Sequence, residues 1–200
     1  MKHPGIYIVV TCCIGLVACG GKNSNGKGGD FTKIDSLTET YLALQDTMLQ
    51  SWNVMVNDEN DKIRSMHQLL HALLPFQHYD KDQLISLEKR LEQLGRIRFT
   101  QKTMSNPHVV EEYDFASNSL ISEIISMTES EPQFSTNHEL QALVDRIRIA
   151  DQRVNIYRSD YDASTANFNQ FLEKYQDYLK EIDQNGSPQK RPLFQMAGNQ

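Results

Sequence analysis

The sequence predicts an all-α protein, an antiparallel four-helix bundle with long first and last helices. Three observations carry this expectation. Seven of the ten glycines precede residue 30, and Gly95 is the only glycine between Asp30 and Asn185. In the same interval proline occurs only at Pro75, Pro107 and Pro132, so the chain lacks the punctuation that hairpins and tight βα turns need. Between these prolines apolar residues recur in steps of three and four, the period of helices that bury one stripe. An all-β fold and a Gly-rich nucleotide-binding α/β fold do not fit this pattern. The 200 residues suit one domain. Lys and Arg total 20 against 26 Asp and Glu, a formal net charge of −6, and no basic run could track a phosphate backbone. Nucleic acid is therefore not an expected partner.

Residues 1–18 read as a lipoprotein signal peptide. Lys2 and His3 supply a positive start, and Ile6 to Ala18 is an apolar run too short to span a bilayer. The run ends in Leu16-Val17-Ala18-Cys19, followed by Gly20-Gly21. This resembles the bacterial lipobox, which implies cleavage before Cys19 and acylation of its sulfur and new amino terminus. Cys12, preceded by Thr11, is a poorer site. No cysteine follows Cys19, so a lipidated mature chain has no disulfide, thiolate metal site or cysteine nucleophile. Multiple acylation anchors a chain stably without a transmembrane helix. Residues 19–32, starting at lipidated Cys19, read as a flexible tether, because Gly20 to Asp30 contains Gly, Lys, Asn and Ser but no apolar residue.

Residues 33–185 form the expected bundle, with helices near 33–74, 80–104, 108–130 and 136–183. Ile34, Leu37, Tyr41, Leu44 and Met48 begin a stripe in the first segment that continues through Leu73, with Glu59 as an exception on the seam. Leu84, Leu87, Leu91 and Leu94 mark the second helix, and Val109, Tyr113, Ala116, Leu120 and Ile124 the third. The fourth runs from Leu140 to Ile182, with Asp151, Arg158 and Thr165 filling gaps in its apolar face. Asp80 can cap the second helix, with Gln83 behind it, and Ser135 or Thr136 the fourth, with Glu139 behind it. Asn185-Gly186-Ser187-Pro188 stops the last helix, and residues 186–200, basic at Lys190-Arg191, read as a flexible tail.

Candidate chemistry is sparse. His67 and His71 stand at i and i+4 on one helix face, a metal-ligand spacing, with His78 or His108 as possible third donors. Gln68 stands where a zincin needs its glutamate base, so proteolysis does not fit, and the pair reads as surface histidines without metal. No cofactor is expected. Glu59, Asp151 and Arg158 lie on apolar seams, Asp151 and Arg158 two turns apart on one face. An unpaired ion there would be destabilising by several kcal/mol, so the residues are expected to pair across helices, with Glu59 opposite Arg158 as one arrangement. The set reads as a structural polar seam that fixes helix register, or alternatively as a pocket for a ligand or proton. The aromatics at 157, 161, 168, 171, 175 and 178 read as packed core rather than a ligand-binding face. No nucleophile–base motif or phosphate loop stands out.

Asp151-Gln152-Arg153-Val154, Arg158, Tyr161-Asp162, Thr165 and Phe168-Asn169 resemble the hallmark of LemA family proteins: Glu-Asn-Arg-Ile, then Arg, Tyr-Asn, Val and Tyr-Asn at those intervals. Glu129-Ser130-Glu131-Pro132 with Asn137 and Leu140, Ser51-Trp52, the stretch Ile63 to Leu70, and Lys190-Arg191-Pro192-Leu193-Phe194 are similar to further family segments, so the likeness covers most of 40–195. Asp61-Lys62 replaces an Arg-Arg pair of the family, His67-Gln68 replaces Pro-Asn, and a lipobox stands where most members have a transmembrane helix. The resemblance implies an antiparallel bundle held at a membrane by its N-terminus, outside the cytoplasm, and it transfers no catalytic mechanism.

The sequence thus points to a non-enzymatic, lipid-anchored bundle of the cell envelope with a binding or scaffolding role and a protein partner. It sits on the cell membrane or outer membrane and faces the periplasm. The alternative is a small-ligand or metal-binding bundle using His67, His71 or the polar seam. An envelope hydrolase is a more distant third class.

Overall fold

A computed structural model describes residues 28–182 and 188–194 of the chain, with side chains for 33–180 and 188–194. The signal peptide and lipidated Cys19 expected from the sequence lie outside the described residues. The fold is all-helical, built on four long helices: α1 (Gly28–Leu73), α2 (Lys81–Ile97), α3 (Pro107–Glu129) and α4 (His138–Lys174). A short α5 (Gln176–Ile182) follows. With 46 residues, α1 is about 70 Å long at the 1.5 Å rise of an α-helix. Residues 28–32, assigned to the tether by composition, belong to this helix.

The two long helices, α1 and α4, form the most extensive pair, and α2 and α3 pack beside them. Much of each predicted stripe is buried: on α1, Leu37, Met48, Met66, Leu70 and Leu73; on α2, Leu84, Leu87, Leu91 and Leu94; on α3, Tyr113, Leu120 and Ile124. Tyr41, Leu44, Trp52, Val56 and Ile63 of α1 are half-buried against the same core, and Met55 and Leu69, beside that stripe, are buried with it. Full burial of each such side chain contributes about 1.5–3 kcal/mol. Tyr161, Phe168 and Phe171 are buried, and Tyr157, Tyr175 and Tyr178 pack against the same core, as expected for core aromatics.

The helix ends follow local chemistry. The Asp80 side chain accepts from Asp82 N–H and caps α2. Asn106 caps α3, with Pro107 in the first turn, where its missing N–H leaves no bond unmade. Asn137, rather than Ser135 or Thr136, caps α4: its Oδ1 accepts from the amides of both Glu139 and Leu140. Ser135 and Thr136 belong to a 3₁₀ turn, Phe134–Thr136. The second helix ends at Ile97, short of residue 104, because Arg98 turns extended (φ −57°, ψ 134°) and the chain then buries Phe99 and Met104. The fourth expected helix is interrupted at Tyr175, where φ −119° and ψ 24° separate α4 from α5.

The tail expectation is corrected for residues 188–194, which dock on α4. Asn169 Nδ2 donates to the Arg191 carbonyl at 2.7 Å, and Arg191 N–H donates to Asn169 Oδ1 at 2.8 Å. Phe194 N–H donates to the buried Asp162 at 2.8 Å. The Phe194 ring meets Phe99 and Tyr161 edge-on, with centroids 5.4 and 5.8 Å away. These partners occupy backbone groups that a loose tail would leave to water.

Candidate functional site

Halfway along the molecule, charge enters the interior. Lys62 of α1 is only 3% exposed, and its Nζ lies 3.1 Å from Glu59 Oε2 and 3.6 Å from Asp151 Oδ1 of α4. Tyr113 of α3, itself buried, donates its phenolic hydrogen to Glu59 Oε1. Arg158 of α4 engages Asp114 of α3 through both ends of its guanidinium: Nη1 to Oδ2 at 2.8 Å and Nη2 to Oδ1 at 2.6 Å. On the flank, Arg153 donates to Asp58. Glu59, Lys62, Tyr113, Asp114, Ser117, Asp151 and Arg158, with Asn118 and Asn155 exposed at the rim, line a polar cleft of about 200 Å³.

The charges account for one another. Lys62 neutralises Glu59 and faces Asp151, and the planar fork of Arg158 matches the Asp114 carboxylate. Burial pushes the Tyr113 hydroxyl far above its ordinary range, and the Glu59 charge pushes it further, so the phenol stays a donor. Burial also raises Asp58, against the opposing pull of Arg153. The Arg158 guanidinium stands over the Phe99 and Phe194 rings, 5.5 and 4.9 Å from their centroids, which ties the docked tail to the same network.

All three seam residues expected from the sequence, Glu59, Asp151 and Arg158, meet at this cleft. Their pairing differs from the arrangement considered. Arg158 takes Asp114, not Glu59, because Lys62 and Tyr113 already occupy both Glu59 oxygens. Lys62 and Asp114 were missed. Lys62 carried a signal, since it stands seven residues beyond Met55 and seven before Leu69 on one buried stripe. Asp114 carried none, as it lies beside Tyr113 rather than on the helix seam.

The histidine pair lies elsewhere. His67 Nδ1 is 2.6 Å from Glu88 Oε1 of α2, and His71 Nε2 is 3.9 Å from the same oxygen. The two suggested third donors stand on other partners, His78 with Glu131 at 2.9 Å and His108 with Glu111 at 3.6 Å. Among the described residues no group of three or more His, Cys, Asp or Glu side chains is placed to hold a metal ion.

A different surface lies between α2 and α3. Arg90, Gln93, Leu94, Ile97, Phe115, Ala116, Ser119 and Leu120 line an apolar groove of about 220 Å³. Phe115 is 78% exposed at its edge. Arg90 donates to Glu123 and ties the two helices together beside it.

A family model described as the LemA family matches residues 82–200, more than half of the chain. The chain belongs to the LemA family, which is not a known enzyme family. No curated protein and no solved structure matches it.

Proposed function

We propose that this LemA family chain is a non-enzymatic binding or scaffolding protein of the cell envelope, anchored through a lipid on Cys19 and facing the periplasm. The observation that carries the binding role is the exposed Phe115 beside the α2–α3 groove. An aromatic ring left in water next to an apolar groove and an arginine has the composition of a protein-binding hot spot. The paired interior charges support a rigid bundle that presents this face, since each interhelical pair fixes the register of two helices. The occupant is an apolar segment of a protein partner. The Leu16-Val17-Ala18-Cys19 lipobox supports a lipid on Cys19 as the anchor; among the described residues no helix is long and apolar enough to cross a membrane.

A photo-crosslinking residue placed in the full chain at position 115, with position 42 as an exposed control on α1, tests the binding role in cells. A protein adduct specific to 115, and lost on Ile97→Glu, is expected. Adducts no stronger than those at 42 overturn it. The anchor is tested separately: incorporation of labelled palmitate is expected in the natural chain and lost in Cys19→Ala, and a chain that takes no label overturns the lipid attachment.

A further inference from the structure

We infer that the α2–α3 face is a self-association surface, its occupant the same face of a second copy of this chain, the two related by a twofold axis that runs along the helices. The inference rests on the reading of this face as a binding surface and names its partner.

The charges beside the groove choose the occupant. At about 100° of turn per residue, Lys89, Arg90 and Arg96 of α2 lie within about 90° of the groove direction, whereas Glu88 and Glu92 lie more than about 130° from it. Glu88 is turned to His67 of α1. The third helix contains no Lys or Arg, and its Glu112 and Glu123 lie within about 20° of the groove direction. Lys89, Arg96 and Glu112 are exposed. The face is therefore basic along α2 and acidic along α3, with Ile97, Phe115 and Ala116 apolar between the two edges.

Two in-plane twofold axes keep the helices of two such faces aligned. An axis across the helices sets α2 on α2 and α3 on α3, like charge on like, which disfavours association. An axis along the helices sets α2 of each copy on α3 of the other, basic edge on acidic edge, and the contact closes as a dimer. Rotation about that axis keeps every residue at its own height. Arg90 and Glu123 are hydrogen-bonded and so stand at one height, which brings each Arg90 to the Glu123 of the other copy and makes a ring of four alternating charges. Seven residues along each helix, about 10 Å at 1.5 Å per residue, Ile97 of one copy comes against Ala116 and Phe115 of the other. This covers a ring that is 78% exposed and an isoleucine that is 41% exposed in the single chain. The same rotation leaves α1 of both copies beginning at one end, as two chains anchored in one membrane require.

Size sets the strength. The 17 residues of α2 span about 25 Å, and two helix diameters span about 20–24 Å. The footprint is roughly 500–600 Å² per copy, about 1,000–1,200 Å² in total, the low end of specific interfaces, so the dimer is a reversible one.

Two differently tagged copies of the full chain, produced together and extracted in detergent, test the assignment by co-isolation. Natural copies are expected to co-isolate. Arg90→Glu paired with itself, or Glu123→Arg paired with itself, sets like charges across the axis and is expected to lower recovery about tenfold or more. An Arg90→Glu copy mixed with a Glu123→Arg copy has opposite charges at both contacts between chains, although each chain has lost its internal pair, and is expected to recover the natural yield. Damage to the fold of either variant is not repaired by mixing, so the rescue reads the interface alone. Natural copies that do not co-isolate, self-paired variants recovered like the natural chain, or a mixed pair recovered no better than the self-paired ones overturns the self-association. The adduct at position 115 is expected at twice the mass of the chain. An adduct with a different protein in its place overturns the self-association and leaves the face a binding surface, whereas adducts no stronger than those at 42 overturn both.

Discussion

Consecutive stretches of α4 meet the rest of the bundle in opposite ways. Leu140, Leu143, Val144, Ile147 and Ala150 are buried in the apolar core, whereas no residue from Asp151 to Asp160 is, until burial resumes at Tyr161. The first stretch shares its core with Met66, Leu69, Leu70 and Leu73 of α1. Opposite the second, α1 contributes Glu59 and Lys62, and α3 contributes Tyr113 and Asp114. The apolar layer is stabilised by area removed from water, which depends on volume and hardly on partner identity. The polar layer is held by named pairs, and removing one member leaves the other desolvated and uncompensated.

Placing one residue type in both layers would separate these regimes most strongly. Lys62→Met strands Glu59, whose side chain is only 12% exposed, and is expected to lower unfolding free energy by about 3 kcal/mol in urea titrations. Adding Glu59→Gln is expected to recover part of that loss, and a double variant no more stable than Lys62→Met would show that the charge was not the cause. Arg158→Ala removes a bidentate pair that is only partly buried, with an expected loss of about 1.5–3 kcal/mol. Arg158→Lys is expected to restore only part, since an ammonium cannot match both Asp114 oxygens. An unchanged melting temperature in Arg158→Ala would remove the interhelical pair from the account.

Tyr113 offers a pH signature that the apolar layer lacks. Its hydroxyl is raised in the folded state, so above about pH 10 the unfolded chain releases that proton while the folded chain keeps it, and stability falls by about 1.4 kcal/mol per pH unit. Tyr113→Phe is expected to flatten the alkaline limb by that increment, read from urea midpoints on either side of pH 10; an unaltered limb would place the phenol in solvent. Leu69→Met, in the fully apolar layer, is expected to remain within about 1.5 kcal/mol of the natural chain. A loss as large as that of Lys62→Met would collapse the distinction between the layers. Asn169→Ala, which frees the docked tail, is expected to be destabilising by about 1 kcal/mol and to raise amide exchange at Arg191 and Phe194.

Much of this molecule was legible before its structure because much of it is local. Asp80 caps α2 through an amide two residues away, and the leucines of α2 define its buried face by spacing alone. Glu59, Asp151 and Arg158 stood out because each interrupts an apolar stripe. Their partners did not, for two different reasons. Lys62 sits on the buried stripe, but a lysine beside Asp61 and Arg64 also reads as a solvated charge run. Asp114 becomes a partner only because α3 is set at a particular register against α4. The tail was misread because its anchors, Asn169, Asp162 and the Phe99 ring, are distant in sequence and each unremarkable alone.

By itself, then, the sequence determined the helical class, the family likeness, the apolar stripes and the positions at which charge enters the seam, since all of these depend on composition and near-neighbour spacing. The tertiary structure alone decided that Arg158 takes Asp114, that Lys62 joins Glu59 and faces Asp151, that Glu88 meets the histidine pair, and that Phe194 closes over the guanidinium. Pairing across helices depends on rotation and axial register, and periodicity along one helix does not specify where its neighbour's turns fall.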